Sequence, residues 1–120
     1  MSTNAAIITK TETGYAGIYC HFDGYPDGVG KTLKEHYTNP NKVADLIDLG
    51  DISQLGRFIT GSVIHSYATP ENDITVAYHR DRGESKNKAK TGATWKEVAN
   101  QIDGEYNYIF DGSKWSLQGF

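Results

Sequence analysis

The chain has a single cysteine and no long hydrophobic run among its 120 residues. One cysteine excludes an internal disulfide, so the fold must be held together by its core. A signal peptide or a membrane-spanning helix needs an apolar stretch that this sequence lacks, and the sequence starts with polar residues. We therefore expect a single domain, residues 1–120, in a reducing cytoplasm, since this length is sufficient for one buried core.

Complete motifs for phosphate binding or hydrolysis are also missing. Gly30, Lys31 and Thr32 match the end of a P-loop, but Tyr25 stands where the first glycine of that motif is required. Neither the G-x-G-x-x-G motif after a strand nor the G-x-S-x-G elbow of serine hydrolases occurs. These absences favour a binding module over an enzyme, and we predict no cofactor.

Charge is distributed unevenly along the chain. The formal net charge is −3, yet the segment 80–90 holds five basic and two acidic residues, which gives +3 there and leaves −6 elsewhere. An acidic remainder repels an extended phosphate backbone, so this asymmetry favours a small anionic ligand over a long nucleic acid. The alternative is a solvated loop, which is the usual role of a charge run.

Periodicity predicts an α+β fold with an antiparallel sheet. Residues 5–10 and 15–22 form an N-terminal hairpin in which Ala16, Ile18, Cys20 and Phe22 face the core and Tyr15, Tyr19, His21 and Asp23 face water or a ligand. Residues 74–81 read as a central strand. A C-terminal hairpin closes at a two-residue Asp111-Gly112 turn, with Tyr108 opposite Trp115 and Tyr106 opposite Leu117.

Helices are predicted from caps and spacing. A helical hairpin spans about 28–49, with Asp27 as the first N-cap, Asn39 and Pro40 starting its second helix, and Gly50 ending it. One further helix covers about 95–102 behind a Thr94/Glu97 capping box. We expect residues 51–56 to form a single helical turn, a strand around 62–67, and a mobile loop over 84–92.

The segment DGYPDGVG, residues 23–30, contains three glycines and a proline in eight positions. A glycine-rich turn that feeds a helix N-terminus presents unpaired N–H groups to an anion. Gly24, Gly28 and Gly30, followed by Lys31, therefore predict a phosphate or carboxylate cradle. A purely structural turn is the alternative.

His21, Asp23, His79 and Asp81 are the candidates for acid/base catalysis or metal binding. Each His/Asp pair is spaced i, i+2, so on a strand both side chains share a face, and two neighbouring strands could bring the four groups together. Cys20 points to the opposite face from His21, which excludes a thiolate–imidazole pair and predicts a small core residue.

Two arginines end the predicted central strand. Arg80 and Arg82 share a face if the strand persists, and the planar guanidinium suits bidentate capture of phosphate or carboxylate. Tyrosines could stack on a base, although packing at the edge of the core is the alternative. The predicted ligand site consists of Tyr19, His21, Asp23, Gly24, Tyr25, Gly28, Gly30, Lys31, Tyr78, His79, Arg80 and Arg82.

The chain resembles a family of small, largely uncharacterised proteins from tailed bacteriophages and bacteria. The resemblance rests on IYCHFDGYPDGVG at 18–30, HY at 36–37, LIDLGDISQLG at 46–56 and VAYHRDRGE at 76–84, with Phe22 where tryptophan is common. The C-terminal third matches only in being rich in aromatic residues and in ending with a hairpin.

The resemblance indicates the biological setting of the chain and implies no particular reaction. Small phage accessory proteins without enzyme motifs commonly act as counter-defence factors in the host cell cytoplasm by stoichiometric binding. We therefore expect a sponge, assembled as a homo-oligomer, that sequesters a nucleotide-derived signalling molecule. Two alternatives stay open, namely a phosphodiesterase or glycosyl-bond hydrolase built on the His/Asp cluster, and a direct protein inhibitor of a host defence protein.

Overall fold

The structure is a computed structural model that describes residues 3–59, 74–85 and 87–118. Within those residues a mixed sheet of seven strands forms the centre, in the order β4-β3-β2-β1-β6-β7, with β5 also paired to β2. The strands are β1 Ala5–Lys10, β2 Tyr15–Cys20, β3 Ile52–Gln54, β4 Val76–Ala77, β5 Lys90–Gly92, β6 Tyr106–Phe110 and β7 Trp115–Gln118.

The sheet is mixed because two pairs are parallel. β1 and β2 form the predicted antiparallel hairpin, but β1 pairs with β6 and β2 pairs with β3 in parallel. The outer side of β2 is shared, since β5 pairs with its first half and β3 with its last residue. The α+β class is therefore confirmed, and the sheet that was expected to be antiparallel is mixed.

Helices cover both faces of the sheet. The helical hairpin packs on one face, where its apolar residues join those of β1, β2, β3 and β6 in the larger core cluster. Helix α4 packs on the other face against Ala6, Ile8 and Ile109. The helices are α1 Lys31–His36, α2 Pro40–Asp48, α3 Tyr78–Arg82 and α4 Trp95–Ile102, and a π-helical turn, Pro26–Gly30, leads into α1.

Two of the predicted helix starts are confirmed in detail. The side chain of Asn39 accepts a hydrogen bond from the amide of Asn41, with Pro40 in the first turn of α2. Thr94 Oγ1 accepts from the amide of Glu97 at 3.2 Å at the start of α4. Asp27 is not a cap, because the π-helical turn enters α1 without a side-chain cap.

The predicted central strand over 74–81 is wrong. Only Val76 and Ala77 are in a strand, and the chain then turns into α3. Asp81 is the reason, since its Oδ2 accepts a hydrogen bond from the amide of Ala77 at 2.7 Å. A short side chain that binds a nearby backbone N–H competes with the extended ladder, and here it closes the first turn of a helix.

Three further local predictions are corrected. Residues 52–54 form β3 and not a helical turn, and Phe22 is 41% exposed and not a core residue. Residues 90–92 of the predicted loop form β5. The expected strand around 62–67 lies outside the described residues.

The C-terminal hairpin is present with a different register. Phe110 is opposite Trp115 and Tyr108 is opposite Leu117, so the turn spans four residues instead of two. Asp111 causes the difference, because its Oδ1 accepts hydrogen bonds from the amides of Ser113 and Lys114 at 2.8 and 2.9 Å. An Asp side chain that binds amides two and three residues ahead stabilises such a wider turn.

Candidate functional site

A group of polar side chains lies on the α4 side of the sheet, beyond the part that α4 covers. Helix α4 packs against β1, β2 and β5, with Val98 next to Gly17 in the first half of β2. Because Ile18, Cys20 and Ile52 point into the larger core, their chain neighbours point to the α4 side. We call the following residues the polar face: Tyr19, His21, Asp51, Ser53, Tyr78 and Arg82.

Asp51 joins the three segments of the polar face. Its Oδ1 accepts a hydrogen bond from the amide of Tyr19 at 3.0 Å, and its backbone carbonyl accepts one from the amide of Tyr78 at 3.3 Å. The parallel pairing of β2 and β3 continues past Cys20, since the amide of His21 donates to the carbonyl of Ile52 at 3.1 Å. These bonds hold the end of β2 and the start of α3 against β3.

Arg82 reaches across β3. Tyr78 and Arg82 are four residues apart on α3 and therefore share one helix face, with the guanidinium 5.4 Å from the tyrosine ring centroid. Arg82 Nη2 donates to Ser53 Oγ at 3.3 Å. Within the described part of the chain no carboxylate lies at ion-pair distance from Arg82. Its charge is therefore free to meet an external anion.

Arg80 has a structural role, in contrast to Arg82. Its Nε and Nη2 donate to the carboxylate of Asp81 at 3.0 and 2.9 Å, and Nη2 also donates to the carbonyl of Thr75 at 2.8 Å. The prediction that Arg80 and Arg82 share a face depended on a strand. On α3 they are two residues, about 200°, apart around the helix, so that prediction is wrong.

A hydrogen bond joins Tyr19 and His21, whose hydroxyl oxygen and Nδ1 lie 2.7 Å apart. When the hydroxyl donates this bond, the neutral imidazole carries its proton on Nε2. In that tautomer His21 presents an N–H donor on the polar face. Nearby, Asn4 Oδ1 accepts a hydrogen bond from the amide of Glu105 at 2.8 Å.

The Tyr19 phenol keeps its proton at neutral pH. Burial raises its pKa above the ordinary value of 10.0, and the hydrogen bond from the Asn4 side chain offsets only part of this rise. Charge repulsion from Tyr78 adds to the rise in the pKa.

The glycine-rich turn does not form the predicted anion cradle. Its amides are bound within the chain, as Gly24 N donates to the carbonyl of Thr3 at 2.8 Å, Gly28 N to Tyr25 at 2.9 Å and Val29 N to Asp23 at 2.8 Å. Val29 packs in the larger core cluster, so the turn leads toward the helical hairpin on the opposite side of the sheet from the polar face. These contacts favour the structural interpretation of this turn.

Packing explains why glycine stands at these positions. A Cβ at Gly24 would lie 2.5 Å from the carbonyl oxygen of Asn4, and one at Gly30 would lie 3.0 Å from the Tyr108 ring. The hydroxyl of Tyr108 also donates to the carbonyl of Gly24 at 2.6 Å. The glycines of the turn allow close contact with the chain itself.

The remaining predicted ligand residues lie apart from the polar face. Asp23 and Tyr25 are exposed and bind each other, with the Tyr25 hydroxyl 3.2 Å from Asp23 Oδ1. Lys31 is the exposed first residue of α1, in the helical hairpin layer. His79 Nδ1 lies 2.7 Å from the carbonyl of Glu84, which closes the turn after α3.

The predicted cluster of His21, Asp23, His79 and Asp81 is not formed. No group of three or more His, Cys, Asp or Glu side chains is arranged to hold a metal among the residues described. The i, i+2 argument failed because β2 ends at Cys20 and residues 78–82 are helical, so neither pair lies on a strand. The Asp81 carboxylate is bound to Ala77 and Arg80 instead.

Cys20 is a core residue, as predicted. It is fully buried, and burial raises the pKa of its thiol to about 12. A thiol with such a pKa is a poor nucleophile at neutral pH.

Asn4, Asp51 and Ser53 are the residues of this site that the sequence interpretation missed. For Asp51 and Ser53 a signal existed, because the polar-apolar-polar order of Asp51, Ile52 and Ser53 has the period of a strand with one buried face. For Asn4 there was none, since its partners Tyr19 and Glu105 are distant in sequence.

Comparisons of the chain with known protein families, with curated proteins and with solved structures found no match. In the described part of the chain, none of the helices has both the length and the apolar character needed to cross a membrane.

Proposed function

We propose that this chain is a binding module that holds a small anionic ligand on the polar face. The observation that carries the proposal is the position of Arg82, whose guanidinium lies beside Tyr78 and Ser53 without an ion-pairing carboxylate among the described residues. A cation held by a hydroxyl and an aromatic ring is already ordered, so binding an anion there loses little side-chain entropy.

His21 supplies a hydrogen bond of the matching kind. In the tautomer that accepts at Nδ1 from Tyr19, its Nε2–H can donate to phosphate or carboxylate oxygens. The carboxylate of Asp51 is engaged by the amide of Tyr19. The polar face therefore holds one guanidinium and one carboxylate, and we place the anion at Arg82 and His21, because the Asp51 carboxylate is bound to a backbone amide.

We further propose that the ligand is nucleotide-derived. Tyr78 and the 41% exposed ring of Phe22, which meets the His21 imidazole edge-on at 4.5 Å, provide flat surfaces for a base. Together with the resemblance to phage proteins, this favours a counter-defence protein that sequesters a signalling molecule without turnover. The His/Asp hydrolase is not favoured, since its four residues do not converge.

Titration calorimetry with three probes tests the proposal. Adenosine 5′-monophosphate contains a base and an anion, adenosine contains only the base, and inorganic phosphate contains only the anion. We expect the nucleotide to bind most tightly and Arg82→Ala to weaken its affinity by roughly 10-fold to 100-fold, as for the loss of a charged hydrogen bond. Lys31→Ala removes the same charge on the other side of the sheet and serves as the matched control.

Two results would oppose the proposal. If Lys31→Ala weakens nucleotide binding and Arg82→Ala does not, the glycine-rich turn holds the anion after all. If none of the three probes binds while a host protein is retained in a stable complex, the chain is a direct protein inhibitor.

A further inference from the structure

A cleft lies on the other side of the sheet from the polar face. Its volume is about 460 Å³, and it is bounded by α2, by the end of β1 with the start of β2, and by the segment before β5. Thr9 is paired with Ala16 at this place, three residues along β2 from Tyr19, a distance of roughly 10 Å. None of the polar-face residues lines this cleft.

The cleft has the size and the lining of a small-molecule site. Ligand pockets commonly enclose about 300–1,000 Å³ and are mostly apolar with a few polar groups. Here the apolar lining consists of Ile47 and of the small side chains of Ala16, Ala44 and Ala89. Because three of these four side chains end at a single methyl group, the space between helix and sheet is left unfilled.

Two opposite charges stand among the lining residues. Asp48 is the last residue of α2, and Lys88 precedes β5. Both side chains are exposed, and within the described residues they form no ion pair with each other or with another group. The C-terminal end of a helix also attracts cations, which adds to the effect of the Asp48 carboxylate.

We propose that this cleft binds a small zwitterion with an apolar body. Its ammonium group pairs with Asp48, its carboxylate pairs with Lys88, and its methylene groups cover the alanine methyls. A ligand of this class satisfies both charges at once, whereas a purely apolar molecule leaves them unused. The hydroxyls of Thr9 and Thr11 offer further hydrogen bonds to the carboxylate.

The test is a titration followed by amide chemical shifts in two-dimensional NMR spectra. The probe is 6-aminohexanoate, and hexanoate and hexylamine each lack one of its charged groups. We expect saturable shifts at the amides of Ala44, Ala89 and Thr9 with the zwitterion. Hexanoate and hexylamine should each bind roughly 10-fold more weakly, as expected for one lost charged hydrogen bond.

Variants test the two charges of the cleft one at a time and distinguish the cleft from the polar face. Asp48→Asn should weaken binding of 6-aminohexanoate and of hexylamine but not of hexanoate. Lys88→Met should weaken binding of 6-aminohexanoate and of hexanoate but not of hexylamine. Arg82→Ala serves as the control, because it lies at the other site and should leave this binding unchanged.

The proposal is overturned if 6-aminohexanoate produces no saturable shift at these amides up to ~10 mM, a limit that still detects weak binding. Equal affinity of the wild type, Asp48→Asn and Lys88→Met for the zwitterion also overturns it. Either result leaves the proposed function of the polar face untouched.

Discussion

Arg82 Nη2 donates a hydrogen bond to the hydroxyl of Ser53 at 3.3 Å, although 29 residues separate the two positions in the chain. The contact places the basic end of α3 over β3 and next to the end of β2. Ser53 is 2% exposed, so the exposed arginine side chain is anchored to a buried hydroxyl. This contact is what turns separate polar residues of three segments into one candidate site.

Replacing Arg82 should mainly affect ligand affinity, whereas replacing Arg80 should mainly affect the stability of the fold. Arg82→Ala should weaken binding of an anionic ligand and change the free energy of unfolding by less than about 1 kcal/mol, because Arg82 makes one hydrogen bond to a neutral hydroxyl. Arg80→Ala should instead destabilise the fold, since Arg80 binds both Asp81 and the carbonyl of Thr75. Urea unfolding and calorimetry measure the two effects, and equal behaviour of both variants would contradict the assignment.

The glycine-rich turn should prove structural. Gly24→Ala introduces a Cβ 2.5 Å from the carbonyl oxygen of Asn4, and we expect a loss of roughly 1 to 3 kcal/mol, as for overpacking. Ligand affinity of the folded fraction should be unchanged. Gly112→Ala is the control, because no atom of the described residues lies within 4 Å of the Cβ it introduces and only the positive φ of this position opposes the change, at about 1 kcal/mol. A Gly24→Ala variant that is stable but has lost ligand affinity would instead support the prediction that this turn binds the anion.

The single thiol should be unreactive in the native protein. With a pKa of about 12, roughly one Cys20 in ten thousand is a thiolate at pH 8, and the side chain is fully buried. A chromogenic disulfide reagent should therefore label the protein only as fast as it unfolds, and rapidly in denaturant. Rapid labelling under native conditions would show that β2 is not buried as described.

Acid should remove the contribution of Asp81 to stability. Burial raises the pKa of its carboxyl, but hydrogen bonds from Arg80 and from the amide of Ala77 outweigh this and lower the pKa below its ordinary value of 3.8. A lowered folded pKa means that the carboxylate stabilises the fold above about pH 4, and that this stabilisation is lost as the pH falls through the folded pKa.

The variant Asp81→Asn tests this pH dependence. The difference in unfolding free energy between wild type and variant should be largest near neutral pH and should shrink below about pH 4. Urea unfolding at a series of pH values measures it. A difference that grows on acidification would contradict the position of the carboxylate next to Ala77 and Arg80.

Local signals in the sequence were sufficient for the helices that carry their own caps. Asn39 with Pro40 and Thr94 with Glu97 predicted α2 and α4, because each cap satisfies backbone amides within three residues and needs no distant partner. The N-terminal hairpin was also predicted, since Ala16, Ile18 and Cys20 recur at every second position and are buried.

The candidate site was only partly predictable. Tyr19, His21, Tyr78 and Arg82 were named from the sequence, and the structure places all four on the polar face. The interpretation of residues 74–81 failed because one hydrogen bond, from the amide of Ala77 to the carboxylate of Asp81, opposed the apolar alternation of a strand. Hydrophobic periodicity depends only on residue types, so it does not include the energy of such a hydrogen bond.

Contacts between distant segments could not be read from the sequence. The parallel pairing of β2 with β3, which brings Asp51 and Ser53 beside Tyr19 and His21, depends on how the helical hairpin returns the chain to the sheet. The hydrogen bond from the amide of Glu105 to Asn4 Oδ1 likewise joins two residues that are 101 positions apart in the chain.

Native mass spectrometry tests the central claim most directly. Wild type, Arg82→Ala and Lys31→Ala are purified from cells with active nucleotide signalling, and the spectrum reports ligand mass and subunit count together. We predict that wild type and Lys31→Ala carry the same nucleotide-sized ligand, that heat denaturation releases it intact, and that Arg82→Ala carries little or none. A ligand retained equally by Arg82→Ala, or one converted by catalytic amounts of protein, would contradict the account.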